Sequence, residues 1–137
     1  MRSKPKVLFL CTQNSARSQM AEALMRHMYG DRFDVFSAGT NPGVVNPYAI
    51  RAMQELGVDM SSHRSKSVDE FMDQDFDYVV TVCDNARKNC PFFPGKNVIH
   101  RAFRDPAAAK GTKEEVMAVF RQIRDEIQSW LKEQFGQ

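Results

Sequence analysis

The segment VLFLCTQNSARSQMAEAL, residues 7–24, decides the fold of this chain. Lys6 to Leu10 is a short continuous apolar run, the pattern of a parallel strand covered on both faces. Further on, apolar side chains recur at Met20, Ala23, Leu24 and Met28, a helical spacing. The segment therefore reads as strand, loop, helix, with Cys11 at the end of the strand. A loop of that kind directs unpaired backbone N–H groups and the positive end of the helix dipole into the turn, which makes it an anion cradle.

The same alternation continues outward. FDVFS, Phe33 to Ser37, reads as a second strand, closed by the turn-forming AGTNPG. A second helix is expected to start near Asn46-Pro47, with Ile50, Met53 and Leu56 on one face and Gly57 near its C-terminal end. FDYVVTVC, residues 76–83, is the strongest strand signal, and KNVIHRAF carries a shorter one around Asn97 to His100. Thr112 and Glu115 form a T-x-x-E capping box before a last helix, whose apolar stripe is Val116, Val119, Phe120, Ile123, Ile127, Trp130 and Leu131. SSHRSKS, residues 61–67, and DPAAAKG, from Asp105, read as loops. Strands separated by helices give an α/β fold class: a single open parallel sheet of about four strands with helices on both faces. Ligands bind such sheets at the carboxyl ends of the strands, where the strand order reverses. Cys11 and Cys83 each end a predicted strand, so as neighbours they would share one edge of the sheet.

Composition narrows the function. At 137 residues, 42% hydrophobic and 26% charged, the chain is sized for one domain over residues 1–137. Nineteen basic and seventeen acidic residues leave a net charge of +2, with no Lys/Arg block that would trace a nucleic-acid backbone. The apolar run before Cys11 is too short for a signal-peptide core or a membrane span, so a cytoplasmic, monomeric protein is expected. There the three cysteines are reduced at rest, and a pair of them points to redox chemistry or metal binding more than to a structural crosslink.

In the loop, a thiol beside a helix N-terminus and a guanidinium is favoured as the thiolate. Arg17 offers a planar fork that matches two oxygens of a tetrahedral oxyanion. Residues Thr12, Gln13, Asn14, Ser15, Ala16, Arg17 and Ser18 thus form the expected oxyanion site, with Cys11 as nucleophile. Asn14 suits a left-handed backbone, and the Ser18 hydroxyl is a donor to the thiolate or to a departing group. Cys-x5-Arg alone also fits a buried core thiol. The strand before it, the helix after it and the serine that follows the arginine favour catalysis.

Cys83 and Cys90 bracket DNARKN. Their spacing does not match a zinc site, and His27, His63 and His100 add no matching ligand pattern, so a redox pair is the better reading. Residues seven apart on a helix are separated by roughly 10 Å, whereas disulfide-bonded Cα atoms lie within about 7 Å. The segment therefore cannot be helical and disulfide-bonded at once. The histidines have no chemical partner in the sequence, and Arg101 and Arg104 are candidates to steer an anion.

VLFLCTQNSARSQMAEAL resembles the signature loop of the low-molecular-weight protein tyrosine phosphatase fold, and more closely its thioredoxin-coupled arsenate reductase branch. The resemblance extends through FSAGT, TVCDNARKNCP, RDPA and the last amphipathic helix. It implies a three-cysteine relay that reduces arsenate. Cys11 attacks arsenic, Cys83 attacks the adduct and forms a disulfide with Cys11 as arsenite leaves, and Cys90 resolves this into a second disulfide that thioredoxin reduces. It implies that Asp105 transfers a proton, although Asp-Pro also opens ordinary turns. Related phosphatases often carry a tyrosine after this Asp-Pro, whereas Ala107, Ala108 and Ala109 follow here. Some members of the branch bind potassium through residues matching Asn14, Glu22 and Ser37, with a carboxylate in the segment matching Ser65 to Ser67. Lys66 stands there in this chain, which argues against potassium, so no cofactor besides the thioredoxin reductant is expected. The alternatives are a low-molecular-weight phosphatase, for which Cys83 and Cys90 are incidental, and an anion-binding or redox-sensing module without turnover.

Overall fold

The computed structural model describes residues 4–82 and 93–136. Four parallel strands, β1 (Lys6–Cys11), β2 (Asp34–Gly39), β3 (Phe76–Thr81) and β4 (Gly95–His100), form one sheet in the order β2-β1-β3-β4. Among the described residues three α-helices accompany them, α1 (Arg17–Tyr29), α2 (Pro47–Gln54) and α3 (Lys113–Phe135). The chain runs outward from β1 to β2 and then crosses back to β3 on the other side of β1. That reversal opens a crevice at the carboxyl ends of β1 and β3.

The period-two alternation of β1 divides the core. Val7, Phe9 and Cys11 face one side with all three α-helices, while Leu8 and Leu10 face the other with Val68, Phe71, Phe76 and Val79. Among the described residues, the second face receives the 3-10 turn Val68–Phe71, inside the stretch that follows the predicted polar loop.

Element boundaries moved where tertiary bonds extend a strand. β2 runs on past Ser37 to Gly39, because Gly39 N–H reaches Lys66 O at 2.8 Å and Gly39 bridges Ser67 in parallel. In α2, Asn46 caps Tyr48 N–H at 2.8 Å ahead of Pro47, as the sequence predicts. Its buried residues, however, are Ala49, Ala52 and Met53; the helix stops at Gln54, and Leu56 is 37% exposed. Gly57 takes φ +75°, which a left-handed turn requires. The Thr112/Glu115 capping box forms and α3 buries Phe120, Ile123, Ile127 and Leu131 from the predicted stripe, together with Met117 and Phe135. Val116, Val119 and Trp130 sit at the margin of that core. No helix among the described residues is long and apolar enough to cross a membrane.

Candidate active site

Cys11 ends β1, buried, and the loop after it turns around Asn14, whose φ of +50° places it in the left-handed region. Asparagine tolerates that conformation better than most side chains. The loop's carbonyls are turned outward. Thr12 O accepts from Asn41 N–H at 2.8 Å, Gln13 O from Gly43 N–H at 3.2 Å, and Ser15 O from Asn46 N–H at 3.0 Å. A planar trans peptide points its N–H opposite to its C=O, so the amides of Gln13, Asn14 and Ala16 face inward. Asn14 N–H accordingly meets Cys11 Sγ at 3.2 Å.

Gly39 makes this packing fit. A Cβ there would lie 2.6 Å from Thr12 O, 2.8 Å from Asn14 N and 3.0 Å from Cys11 O, all backbone atoms. The glycine of FSAGT is therefore fixed by the close approach of β2 to the loop.

Helix α1 begins at the far end of the loop. Its N-cap is Ala16, which supplies no side-chain hydrogen bond, and its first turn has no acidic residue. The uncapped N-terminus, the inward amides and Arg17 surround a cavity of about 130 Å3, lined by Cys11, Thr12, Gln13, Ser15, Ala16, Arg17, Asp105 and Ala107. Arg17 Nη1 donates to Phe103 O at 3.1 Å, and Nη2 lies 3.6 Å from Asp105 Oδ2. Asp105 caps the 3-10 turn Pro106–Ala108 by accepting from Ala107 N–H at 3.0 Å. Both the turn role and the place on the cavity rim thus hold for this carboxylate. Ala107 alone of the alanine run lines the cavity, and among the described residues no aromatic side chain does so.

Behind the sulfur lies a buried polar cluster. Ser18 Oγ stands 2.8 Å from Cys11 Sγ, and Asn14 Nδ2 donates to Ser18 Oγ at 2.8 Å and to Ser37 Oγ at 2.9 Å. Because the Ser18 oxygen accepts from Asn14, its hydrogen is available to the sulfur, and donors to sulfur stabilise the thiolate. Ser37 in turn donates to Glu22, which also pairs with Arg26 at 2.6 Å. Lys66 Nζ sits 3.5 Å from Glu22 Oε1 with only 12% of its side chain exposed. Burial pushes the Glu22 carboxyl up, but the Lys66 ammonium, the Ser37 hydroxyl and Arg26 outweigh it and hold the group below its usual value. Burial pushes Lys66 down, offset in part by Glu22.

Asn14, Glu22 and Ser37, the potassium set, are thus brought together. The chemistry of the set does not suit an added cation, because Lys66 and Arg26 already neutralise the carboxylate and Asn14 turns its Nδ2 donor to Ser37. Among the described residues no cluster of His, Cys, Asp and Glu could hold a metal ion.

Sequence reasoning missed several participants. Gln19 is fully buried and bonded to Asn14, and His63, for which the sequence shows no chemical partner, is bonded to Gln19. The one signal was a glutamine set beside Met20 on the inward side of α1. Phe103 contributes only a carbonyl, which no side-chain pattern reveals. Arg101 lies over the Phe103 ring at 4.4 Å and lines no part of the cavity. Cys83 and Cys90 lie outside the described residues. The chain leaves those residues at Val82, whose N–H donates to Leu10 O and whose carbonyl accepts from Phe103 N–H, both at 2.9 Å.

The pattern of the family described as low molecular weight phosphotyrosine protein phosphatase matches residues 6–136. The chain belongs to this phosphatase family. Among its members, the arsenate reductase of Halalkalibacterium halodurans is 47% identical over 131 residues, 95% of this chain and 94% of that one. A solved structure of an arsenate reductase in the oxidized state superposes with a TM-score of 0.80 at 28% identity, covering 93% of this chain and 94% of the other. The thioredoxin-dependent arsenate reductase of Corynebacterium glutamicum gives 0.69 at 28% identity, over 98% of this chain and 64% of that chain. Within the phosphatase family, then, these relatives carry the name of reductases.

Proposed function

We propose that the protein is a cytoplasmic, monomeric arsenate reductase of a single domain that uses a three-cysteine relay, is regenerated by thioredoxin and serves arsenic detoxification. The observation that carries the reading is the cavity with Cys11 at its base. Its volume of about 130 Å3 is the space of about four water molecules, suited to an inorganic tetrahedral oxyanion. The relatives named arsenate reductase support the choice of arsenate, and the thioredoxin-dependent one supports the reductant.

The chemistry balances on this chain's own groups. Arsenate lies against the amides of the loop and the Arg17 fork. The Cys11 thiolate displaces one arsenate oxygen, which takes a proton from Asp105 and leaves as water. The Cys83 thiolate then attacks the Cys11 sulfur. The S–As bond breaks with its electron pair kept by arsenic, so arsenic(V) becomes arsenic(III), arsenite departs, and a Cys11–Cys83 disulfide remains. Cys90 attacks Cys83, frees the Cys11 thiolate and leaves a Cys83–Cys90 disulfide, which a thioredoxin dithiol reduces by the same exchange. In this reading Lys66 and Arg26 balance the Glu22 charge in place of a potassium ion.

The test is a single turnover of reduced protein with arsenate, followed by arsenite quantitation and disulfide mapping by mass spectrometry. Wild type yields arsenite and a Cys83–Cys90 bond; Cys90→Ser yields arsenite and a Cys11–Cys83 bond. Hydrolysis of an aryl phosphate without any arsenite overturns the reading in favour of a phosphatase.

A further inference from the structure

Arg17 is held from one short segment, residues 103–105. Its Nη1 donates to the Phe103 carbonyl at 3.1 Å, and its Nη2 lies 3.6 Å from Asp105 Oδ2. A guanidinium is planar, so partners on both terminal nitrogens set the plane of the whole fork. Asp105 offers a side chain that is 45% exposed to solvent, whereas the carbonyl moves only when the backbone moves. Phe103 is therefore the fixed partner.

Three contacts hold Phe103 in turn. Its N–H donates to Val82 O at 2.9 Å, past the end of β4. Its ring is buried, with the Arg101 guanidinium 4.4 Å from the ring centroid and the Trp130 indole set edge-on at 6.3 Å. Trp130 is itself anchored on α3, where it meets Phe135 edge-on at 6.2 Å. Arg101 and Trp130 also line an open groove of about 770 Å3 along α3, and neither lines the anion cavity.

We propose that Phe103 is a positioning residue for the Arg17 fork, and that Arg101 and Trp130 act on oxyanion binding through its ring. The proposal rests on the reading of the Cys11 loop as an oxyanion site. The bond to Val82 pins one end of Phe103 and the packed ring pins the other, so together they fix the direction of its carbonyl. A shifted ring turns the carbonyl about the Val82 bond, and the plane of Arg17 turns with it. A fork turned out of the plane of two oxyanion oxygens keeps its charge but loses its two-point fit. Arg101, a candidate to steer an anion by its charge, contributes instead by bracing a ring.

The experiment measures phosphate affinity by titration calorimetry and Tm by scanning calorimetry on the reduced full chain, in wild type, Phe103→Leu, Trp130→Ala, Trp130→Phe and Phe71→Leu. Phe71 is likewise buried but on the other face of the sheet, so Phe71→Leu makes the same chemical change away from the fork. Removing the Trp130 indole widens a groove already open to solvent and leaves no sealed cavity, so Trp130→Ala folds. Phe103→Leu is expected to weaken phosphate about tenfold and Trp130→Ala about fivefold. Trp130→Phe is expected to bind as wild type does, and Phe71→Leu to lower Tm with phosphate affinity unchanged. NMR of the wild type labelled at arginine nitrogen is expected to show the Arg17 Nη1 hydrogens in slow rotation, held by the carbonyl, and in Trp130→Ala in fast rotation. Wild-type affinity in both Phe103→Leu and Trp130→Ala, equal losses in Trp130→Ala and Trp130→Phe, a loss in Phe71→Leu as large as in Phe103→Leu, or fast Arg17 rotation in the wild type overturns the proposal. Phosphate that fails to bind the wild type overturns instead the reading of the loop as an oxyanion site.

Discussion

Val82 donates its backbone N–H to the carbonyl of Leu10 at 2.9 Å, joining the residue before Cys83 to the residue before Cys11. The β1/β3 pairing thus continues to Val82, the last described residue before Cys83. Cys83→Ser is expected to bind phosphate as wild type does, by thermal shift, yet to release no arsenite in a single turnover. Arsenite at the wild-type yield from this variant would remove Cys83 from the relay.

Gly39→Ala tests the fit of β2 against the loop. The added methyl meets Thr12 O at 2.6 Å and Asn14 N at 2.8 Å, and neither backbone atom can move without reshaping the cradle. Overpacking of this kind costs about 1–3 kcal/mol, so calorimetry is expected to show Tm lower by roughly 5–10 °C. Arsenate KM is expected to rise with it. An unchanged Tm would mean that the loop has slack that its hydrogen bonds conceal.

Asp105→Asn separates proton transfer from folding. Asparagine caps a helical turn as well as aspartate does, so the bond to Ala107 N–H persists and Tm stays at its wild-type value. Loss of the acid is expected to lower kcat by about 10²-fold. Single-turnover arsenite release would measure it, and a wild-type rate would assign Asp105 to the turn alone.

The pH dependence of stability follows from two depressed groups. The Glu22 carboxyl sits below 4.5 in the fold, so its ion pairs contribute fully above that value and are lost as pH falls through the folded pKa. His63 sits below 6.5, so its neutral burial contributes above 6.5 and is lost as pH falls from there toward the folded pKa. Denaturation midpoints are expected to decline in two stages on the acid side, and His63→Asn to remove only the upper one.

Lys66→Ala is expected to cost about 2 kcal/mol, because Glu22 stays buried with Arg26 as its remaining cation. Wild type is expected to show the same Tm in potassium and sodium salts of equal ionic strength. A potassium-specific rise would place that ion beside Glu22 after all.

The strand, loop and helix around Cys11 were legible because each obeys a local rule: an apolar run, a cysteine at its end, a helical spacing after it. That Cys11, Arg17, Ser18 and Asp105 gather around one cavity was legible because the expectation rested on their side chains. Gly39, Phe103 and Gln19 could not. Gly39 matters through what a missing Cβ lets approach, Phe103 through a carbonyl shared by every residue type, and Gln19 through partners forty-five residues away at Arg64. Leu56 misled for a related reason, since its helical spacing continued past Gln54, where the helix stops ahead of the turn at Gly57.

Ala16 leaves α1 without a cap of its own, so whatever anion enters the cradle completes the helix. Folding and occupancy are then linked equilibria, and an oxyanion at a hundred times its Kd adds about 2.7 kcal/mol of stability. Phosphate, the abundant tetrahedral anion of any cell, is by this logic both a competitor of arsenate and a preservative of the protein. Thermal stability becomes a gauge of the surrounding phosphate.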